Sequence, residues 1–327
     1  MTTIKHIAAA VGVSVATVSN VLNGRPNVGR ETRQKVLRSA KTLGYSPNRA
    51  AQSMRTGRTR AIGLVLPDLN NPFFSQLAHA VASRARAAGL LVCLIDSQGS
   101  PEGESDGFVL LAQHAVDAVI WCPAGGKLPA AARSFPRPVV LIDRPRPGYD
   151  VVHSDYRMGG RLLAEYALRM GHSRIGLISG PRHIASARQR RDGFVGAFPG
   201  RLKIAWEFQA NFDGTLGAEP LAALGGDAPR TATLIVAGND LLAISTIRQL
   251  TAEGVRVPHQ ISVTGFDDIR WSDVVTPRLT TVAQPIDAIG ARAVELVQER
   301  MAGSPPTHRR AVFDVRLVER DSVRRLR

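Results

Sequence analysis

From residue 61 the hydrophobic pattern changes from a helical period to short β-branched runs that alternate with helical stretches. The runs at 62–66, 90–95, 118–121 and 139–142 read as strands; after a break so do 175–179, 234–236 and 261–266, with a late strand near 312–317. Helical periodicity fits 73–88, 159–170, 241–253 and 286–301. Alternation in two successive blocks predicts two doubly wound α/β subdomains, each built on a parallel sheet. At 327 residues the chain exceeds one ordinary domain, and two or three compact units are expected. With 44% hydrophobic but only 5% aromatic residues, its cores must come mostly from Ala, Val, Leu and Ile.

The first sixty residues obey a different rule. Ile4, Ile7, Ala8 and Val11 recur at i, i+3, i+4 and i+7 and mark one face of a short helix. Gly12-Val13 breaks it. Ser14 then offers a side-chain oxygen to cap a second helix over 15–22, with Val18, Val21 and Leu22 inward, and Asn23-Gly24 ends that helix. A third helix, over about 30–43, turns Val36, Leu37, Ala40 and Leu43 inward and stops at Gly44. Two short helices across a tight glycine turn, braced by a third, predict an all-α helix-turn-helix head over 1–45. Residues 1–60 carry eleven Lys or Arg against one acid, Glu31, whereas the rest of the chain holds 31 bases and 26 acids. Most of the net charge of +15 therefore sits on the first fifth of the length, which is the footprint of a polyanion-binding module.

The second helix turns Val15, Ala16, Ser19 and Asn20 outward. Small and apolar side chains let a helix approach base edges and thymine methyls, and Asn20 can pair with adenine in the major groove. Thr17, Thr32, Arg33 and Tyr45 are placed for phosphates, which fix register without carrying sequence information. Ser14, at the start of the helix, is grouped with these DNA contacts. Beyond the head, over 46–60, Pro47 suits the first turn of a further helix whose apolar edge is Ala50, Ala51 and Met54. Alone this helix is too short to persist in water. It is expected to order on DNA, pairing with a copy of itself.

The stretch VSVATVSNVLNGRPNVGRETRQKVLRSAKTLGYSPNRAAQSMRTGRT resembles the head and hinge of the lactose-repressor (LacI/GalR) family nearly residue for residue. The resemblance implies that the second helix enters the major groove of double-stranded DNA. It also implies that paired hinge helices push an apolar side chain into the minor groove at the operator centre. Here that side chain is Met54, where the family usually has Leu, and Asn48 and Arg49 join it as DNA contacts. Asn20 occupies a base-reading position that is often Arg.

Polar residues gather just beyond the strands of the body: Asp68, Asp96, Asp143, Asn239-Asp240 and Asp267-Asp268. In open parallel sheets ligands bind outside the carboxyl ends of strands, so two facing sheets would form a cleft lined by these groups. Each can also cap the helix that follows. Asp240 reads as such a cap, Asp96 stays open between the two roles, and Asp68, Asp143, Asn239 and Asp267 read as cleft groups.

Three segments, GHSRIGLISGPRHIASARQRRDGF, LIVAGNDLLAISTIRQL and ISVTGFDDIRWSDVVTPRLTTVAQP, are similar to the sensor core of the same family, which itself resembles periplasmic sugar-binding proteins. This implies an effector-binding and dimerisation domain over 61–327, split into about 61–154 with 284–313 and 155–283 with 314–327. It implies polar effector contacts at Arg190, Asn239 and Asp267, with Asp143 a fourth, and aromatic walls at Phe73, Phe74 and Phe212. A sugar offers hydroxyls that want carboxylates, an amide and a guanidinium, and apolar faces that want an aromatic ring. Arg190 lies in the basic run 188–191, which by itself reads as a solvated helix face; its spacing before Gly193-Phe194 singles it out. The segment after Phe194 is shorter than is usual in the family, which loosens the placement of Phe212. Trp271 stays open between the cleft and ordinary packing.

No dinucleotide-binding glycine motif, phosphate loop, nucleophile elbow or HExxH zinc motif occurs. No cofactor, metal or catalytic residue is therefore expected, and a hydrolase or isomerase grafted on the cleft is the remote alternative. The apolar run at 7–15 follows Lys5 like the core of a signal peptide, but it is short and passes directly into Arg-rich sequence. No apolar stretch reaches the roughly 20 residues that span a bilayer. A cytoplasmic protein with no membrane partner is expected. Cys93 and Cys122 lie in apolar runs and read as small core residues rather than a disulfide. The expected function is a sequence-specific transcriptional regulator, a repressor, binding a pseudo-palindromic operator as a homodimer. Its small-molecule effector is expected to be a sugar, with a nucleoside or a sugar phosphate as the alternative. The terminal RDSVRRLR has no leucine heptad, which favours a dimer over a tetramer.

Overall fold

The computed structural model describes residues 2–22, 25–45, 57–125, 127–305 and 308–326. The chain divides into two units, Met1–Thr59 and Arg60–Arg327, each described by itself.

In the first unit α1 (Ile4–Val11), α2 (Val15–Leu22) and α3 (Arg30–Thr42) enclose a core of Ile7, Ala8, Val18, Val21, Val36 and Ala40. α1 ends on Gly12 in the left-handed region at φ 72°, and its N–H bonds the Ala8 carbonyl at 2.9 Å. α1 and α2 meet at 109°, within the range of a helix-turn-helix. Ser14 caps α2 as expected, its Oγ accepting from the Thr17 N–H at 3.1 Å. Two expectations for α3 fail: Leu37 and Leu43 are 49% and 38% exposed. A three-helix unit this small has one narrow seam, which Val36 and Ala40 fill at i and i+4. Leu37 lies a further 100° round the helix, and Leu43 falls past its last turn. The α2 stop at Asn23-Gly24 and the expected hinge helix, with Asn48, Arg49 and Met54, lie outside the described residues.

The second unit carries two parallel sheets. The first runs through β1 (Ala61–Leu66), α4 (Pro72–Ala87), β2 (Leu91–Asp96), α5 (Pro101–Gln113), β3 (Ala118–Trp121), α6 (Ala130–Arg133), β4 (Val139–Ile142) and β5 (Asp150–Ser154). The second runs through α7 (Tyr156–Arg169), β6 (Arg174–Ser179), α8 (Ala185–Ala197), β7 (Lys203–Gln209), α9 (Ala218–Gly225), α10 (Ala228–Thr231), β8 (Leu234–Ala237), α11 (Asp240–Ala252) and β9 (Ser262–Thr264). The chain closes with β10 (Thr281–Ala283), α12 (Ile286–Met301), β11 (Arg310–Phe313) and β12 (Arg316–Val318). Sheet order is β11-β5-β4-β3-β1-β2 in the first lobe and β7-β6-β8-β9 in the second, and all these pairings are parallel. The chain crosses between the lobes after β5, after β10 and after β11.

The last crossing corrects the expected single strand near 312–317. That run is two strands: β11 pairs with β5 in the first lobe, and β12 pairs antiparallel with β10. Asp314-Val315 between them carries the crossover, which an apolar run cannot announce. β5 escapes sequence reading because polar residues occupy buried positions. Asp150 is 2% exposed yet bonds Arg300 at 2.6 and 2.8 Å, and His153 accepts from Arg310 at 2.8 Å. β7 is an edge strand with polar alternation, and β10 spans only three residues.

α8 is set against α7 at a glycine crossing. A Cβ on Gly160 would stand 2.1 Å from the Arg190 carbonyl oxygen, and one on Gly193 would stand 2.1 Å from that of Arg157. Backbones therefore approach where side chains would normally separate them, and this holds Arg190 on α8 at the end of the second sheet.

Candidate functional site

On the head, the outward face of α2 carries Val15, 39% exposed, with Ala16 exposed and Ser19 and Asn20 partly so. Val18 and Val21 anchor the opposite face in the core, so the outward face is rigidly presented. Thr17 is tied to Ser14 through both its N–H and its hydroxyl. Arg33 donates to the Arg25 carbonyl and so braces the turn after α2, while Thr32 is partly exposed beside it. Tyr45 packs half-buried on the head core.

In the second unit a cavity of about 600 Å³ opens between the carboxyl ends of the two sheets. Asp68, Phe73, Phe74, Asp143, Arg190, Phe212, Asn239 and Asp267 all line it, so eight residues spread over two hundred positions converge. A broader groove of about 850 Å³ runs along Gln284–Ala288 and Asp314–Arg316, but it holds none of these residues and no aromatic wall.

Arg190 is the centre of the cleft. Its guanidinium bonds Asp267 at 2.9 Å and the Gly238 carbonyl at 2.8 Å. It lies 4.0 Å from the Phe266 ring centroid, with Tyr156 and Phe212 at 5.1 and 5.4 Å. Its Nε is buried and unpartnered among the described residues. The basic run is thus not uniformly solvated: Arg188 reaches out to the Arg182 carbonyl, whereas Arg190 is 8% exposed. Asp267 also accepts from Gln284 Nε2 at 2.7 Å, and burial pushes its carboxyl up to about 6 against the pull of Arg190. Facing it from the first lobe, Asp143 accepts from Arg144 Nε at 3.1 Å and from the Tyr156 hydroxyl. Burial and the neighbouring Asp143 carboxylate raise the Tyr156 phenol well above its ordinary value, so it stays a donor. Arg144 is locked further by the carbonyls of Pro123 and Ala124. Asp143 and Asp267 both sit at positive φ, 70° and 118°. Non-glycine residues hold such conformations only where the surroundings over-determine them, which is common in binding sites.

The remaining expectations divide. Asn239 lines the cleft and also caps α11, its Oδ1 accepting from Leu242 N–H at 2.9 Å. Asp240 is therefore not the cap it was expected to be. It is fully buried and accepts from Ile269 N–H at 2.9 Å, the Ser272 hydroxyl at 2.7 Å and the Thr281 hydroxyl, so it ties the start of α11 to the loop after β9 and to β10. Burial, then the neighbouring Asp267, pushes its carboxyl up to about 7. Asp96 lines the cleft and closes a local turn by accepting from Gln98 N–H at 3.0 Å, whereas Ser100 caps α5, so Asp96 is a cleft group and not the cap. Asp68 closes a local turn by accepting from Asn70 N–H at 2.8 Å. Trp271 is half exposed and stands outside the cavity lining. Sequence reading missed Asn71, Arg144, His183, Ser186 and Asp213 among the lining residues. Asn71 was legible: Asn followed by Pro72 is a helix cap with proline in the first turn. Ser186 lies in the first turn of α8, and Arg144, His183 and Asp213 lie in loops with no periodic signal.

Residues 3–48 match the family described as bacterial regulatory proteins, lacI family, and residues 164–323 match a periplasmic binding protein-like domain. The chain is 32% identical to the HTH-type transcriptional repressor PurR of Mannheimia succiniciproducens, over all of both chains. It is similar to the crystal structure of the lac repressor dimer bound to operator and the anti-inducer ONPF, at 25% identity, a TM-score of 0.83 and 99% of each chain. A LacI family transcriptional regulator from Enterococcus faecium with bound ribose is similar at 26% identity and a TM-score of 0.71, over 82% of this chain and all of that one. A helix-turn-helix head and a two-lobed body with a lined cleft are the parts such regulators share, and this chain belongs to the lacI family of bacterial regulatory proteins, as a DNA-binding transcriptional repressor with a periplasmic-binding-protein-like sensor domain.

Proposed function

We propose that the effector is a neutral sugar of monosaccharide size, held between the two lobes, and that it controls the grip of a homodimer on a pseudo-palindromic operator. The observation that carries this reading is how charge is distributed in the cleft. Five carboxylates line it, Asp68, Asp96, Asp143, Asp213 and Asp267, against the guanidinium groups of Arg144 and Arg190. Each arginine is already paired with an aspartate, at 3.1 and 2.9 Å. A phosphorylated effector would meet surplus negative charge with no unpaired arginine to receive it, whereas sugar hydroxyls both donate to carboxylates and accept from guanidinium N–H groups. Phe73, Phe74 and Phe212 supply the apolar wall that a sugar ring face needs. The ribose bound to the Enterococcus faecium regulator makes pentoses the first class to test.

Two α2 helices, one from each protomer, read the half-sites. Val15, Ala16, Ser19 and Asn20 meet base edges, and Ser14, Thr17, Thr32, Arg33 and Tyr45 position the backbone. Paired hinges bearing Asn48, Arg49 and Met54 engage the operator centre. Exposed Leu91 and Leu94 on edge strand β2, with Val109 and Leu110 on α5, supply apolar surface for the second protomer. Effector binding changes the angle between the lobes, and a coupling of about 1–3 kcal/mol changes operator affinity roughly five- to 150-fold. Thermal-shift measurements against pentoses, hexoses, nucleosides and sugar phosphates test the ligand class. A sugar at about a hundred times its Kd adds about 3 kcal/mol of stability. Stabilisation by phosphorylated compounds alone would overturn the assignment.

A further inference from the structure

Two asparagines, one from each lobe, meet at a single backbone carbonyl. Asn71 caps α4 in the first lobe, its Oδ1 accepting from Phe73 N–H at 3.0 Å, and Asn239 caps α11 in the second in the same way. Each turns its remaining Nδ2–H to the carbonyl oxygen of Phe212, at 3.1 and 3.0 Å. Both side chains are almost fully buried, at 4% and 1% exposure. The two lone pairs of that oxygen are thereby filled from opposite sides of the cleft. The bond from Asn239 stays within the second lobe and holds the Phe212 loop in place. The bond from Asn71 joins two lobes, and its donor and acceptor stand 141 residues apart.

We propose that Asn71 is a positioning residue that fastens the two lobes in the closed arrangement, so that it sets the open–closed balance of the sensor domain. The inference rests on the reading of this cleft as the effector site, but its mechanism needs no effector. Closure satisfies every polar atom of the Asn71 side chain at no loss to the cap. Opening breaks one hydrogen bond while leaving helix α4 capped. Asn71 thus couples the start of α4 to the loop that carries an aromatic wall of the cleft.

Asn71→Asp separates the two roles. Asp caps a helix as well as Asn does, so the bond from Phe73 N–H survives. The donor is replaced by an oxygen facing the Phe212 carbonyl. Loss of one such bond shifts the closed-to-open ratio by roughly three- to tenfold. Asn71→Ser keeps a capping oxygen without adding charge and cannot reach Phe212. The measurement is a pulsed EPR distance distribution in the effector-free full-length protein. Labels go on Glu102→Cys in the first lobe and Glu219→Cys in the second, with Cys93→Ser in the background. Labelled chains are diluted with unlabelled protein so that each pair is read within one chain. Both Asn71 variants are expected to populate a longer distance than the parent while still unfolding cooperatively, within a few degrees of the parent's melting temperature. Distributions superimposable on the parent overturn the proposal, as does opening by Asp alone, which would trace to charge and not to the lost donor. If Asp prevents folding, the Ser variant decides. None of these outcomes depends on which ligand the cleft takes, so failure here is distinct from failure of the sugar reading.

Discussion

Replacing Arg190 with Met probes the ionic centre of the cleft, because it keeps length and apolar packing against Phe266, Tyr156 and Phe212 while removing the charge. The consequence falls first on Asp267, whose carboxyl is pushed up to about 6 by burial although Arg190 pulls the other way. An acid raised above its unfolded value of about 4 leaves stability intact at lower pH and lowers it as pH climbs towards the folded value. In the parent this group therefore lowers stability by about 3 kcal/mol between about pH 4 and 6, and adds no slope beyond. Without the guanidinium, Asp267 titrates higher, so the decline continues at about 1.4 kcal/mol per pH unit above 6. The variant should match the parent in this contribution near pH 5.5, fall about 1 kcal/mol behind at pH 7 and about 3 at pH 8. Protonation keeps the loss at neutral pH below the roughly 3–5 kcal/mol seen when a stranded buried charge has no escape. Urea unfolding of the full-length protein at the three pH values reads the difference. Calorimetry with the sugar identified by thermal shift reads the cleft, where losing charge-assisted hydrogen bonds should weaken binding roughly ten- to 150-fold. A stability difference that does not vary with pH would refute the coupling to Asp267. An unchanged effector response would remove Arg190 from the binding site.

Further outcomes follow from the head and the Phe212 loop. Asn20→Ala should relax base preference at one operator position by about 1–3 kcal/mol, read by binding to a randomised duplex library; an unaltered profile takes Asn20 out of the readout. Gly180→Ala would place a Cβ 2.2 Å from Cζ of Phe212, so that ring must leave its seat. Sugar affinity should then drop while the operator is still bound, and an unchanged affinity would show that Phe212 is not a wall of the cleft. Ser14→Ala removes the cap of α2 and should cost about 1 kcal/mol of head stability, measured by thermal denaturation. Operator affinity should fall about 10³- to 10⁵-fold between about 50 and 200 mM salt if the head makes six to ten phosphate contacts; a flat dependence contradicts phosphate binding.

Features that depend on backbone period were legible in one dimension. The i, i+3, i+4, i+7 stripe of Ile4 to Val11, the cap at Ser14 and the β-branched runs of β1, β3 and β4 are consequences of helix and strand geometry, which any chain must obey locally. The concentration of positive charge before residue 61 needs only counting. Strand-end carboxylates also stand out, because parallel sheets leave polar groups at their carboxyl ends.

Tertiary structure decided what depends on distant partners. Leu37 carries the same apolar signal as Val36, and only the width of the helical seam puts it outside. Asp150 and His153 look unfit for a buried strand until Arg300 and Arg310 arrive from 150 residues or more away, the first to neutralise Asp150 and the second to donate to the His153 ring. Asn239 and Asp240 are adjacent, yet one caps and lines the cleft while the other binds three donors inside the protein. Which neighbour does which follows from where the backbone turns after β8. The facing of Asp143 and Asp267, and the meeting of Asn71 and Asn239 at Phe212, come from three crossovers that set two sheets end to end. Local sequence determines which groups stand at the end of each strand, and the packing of the lobes determines which of them share the cleft.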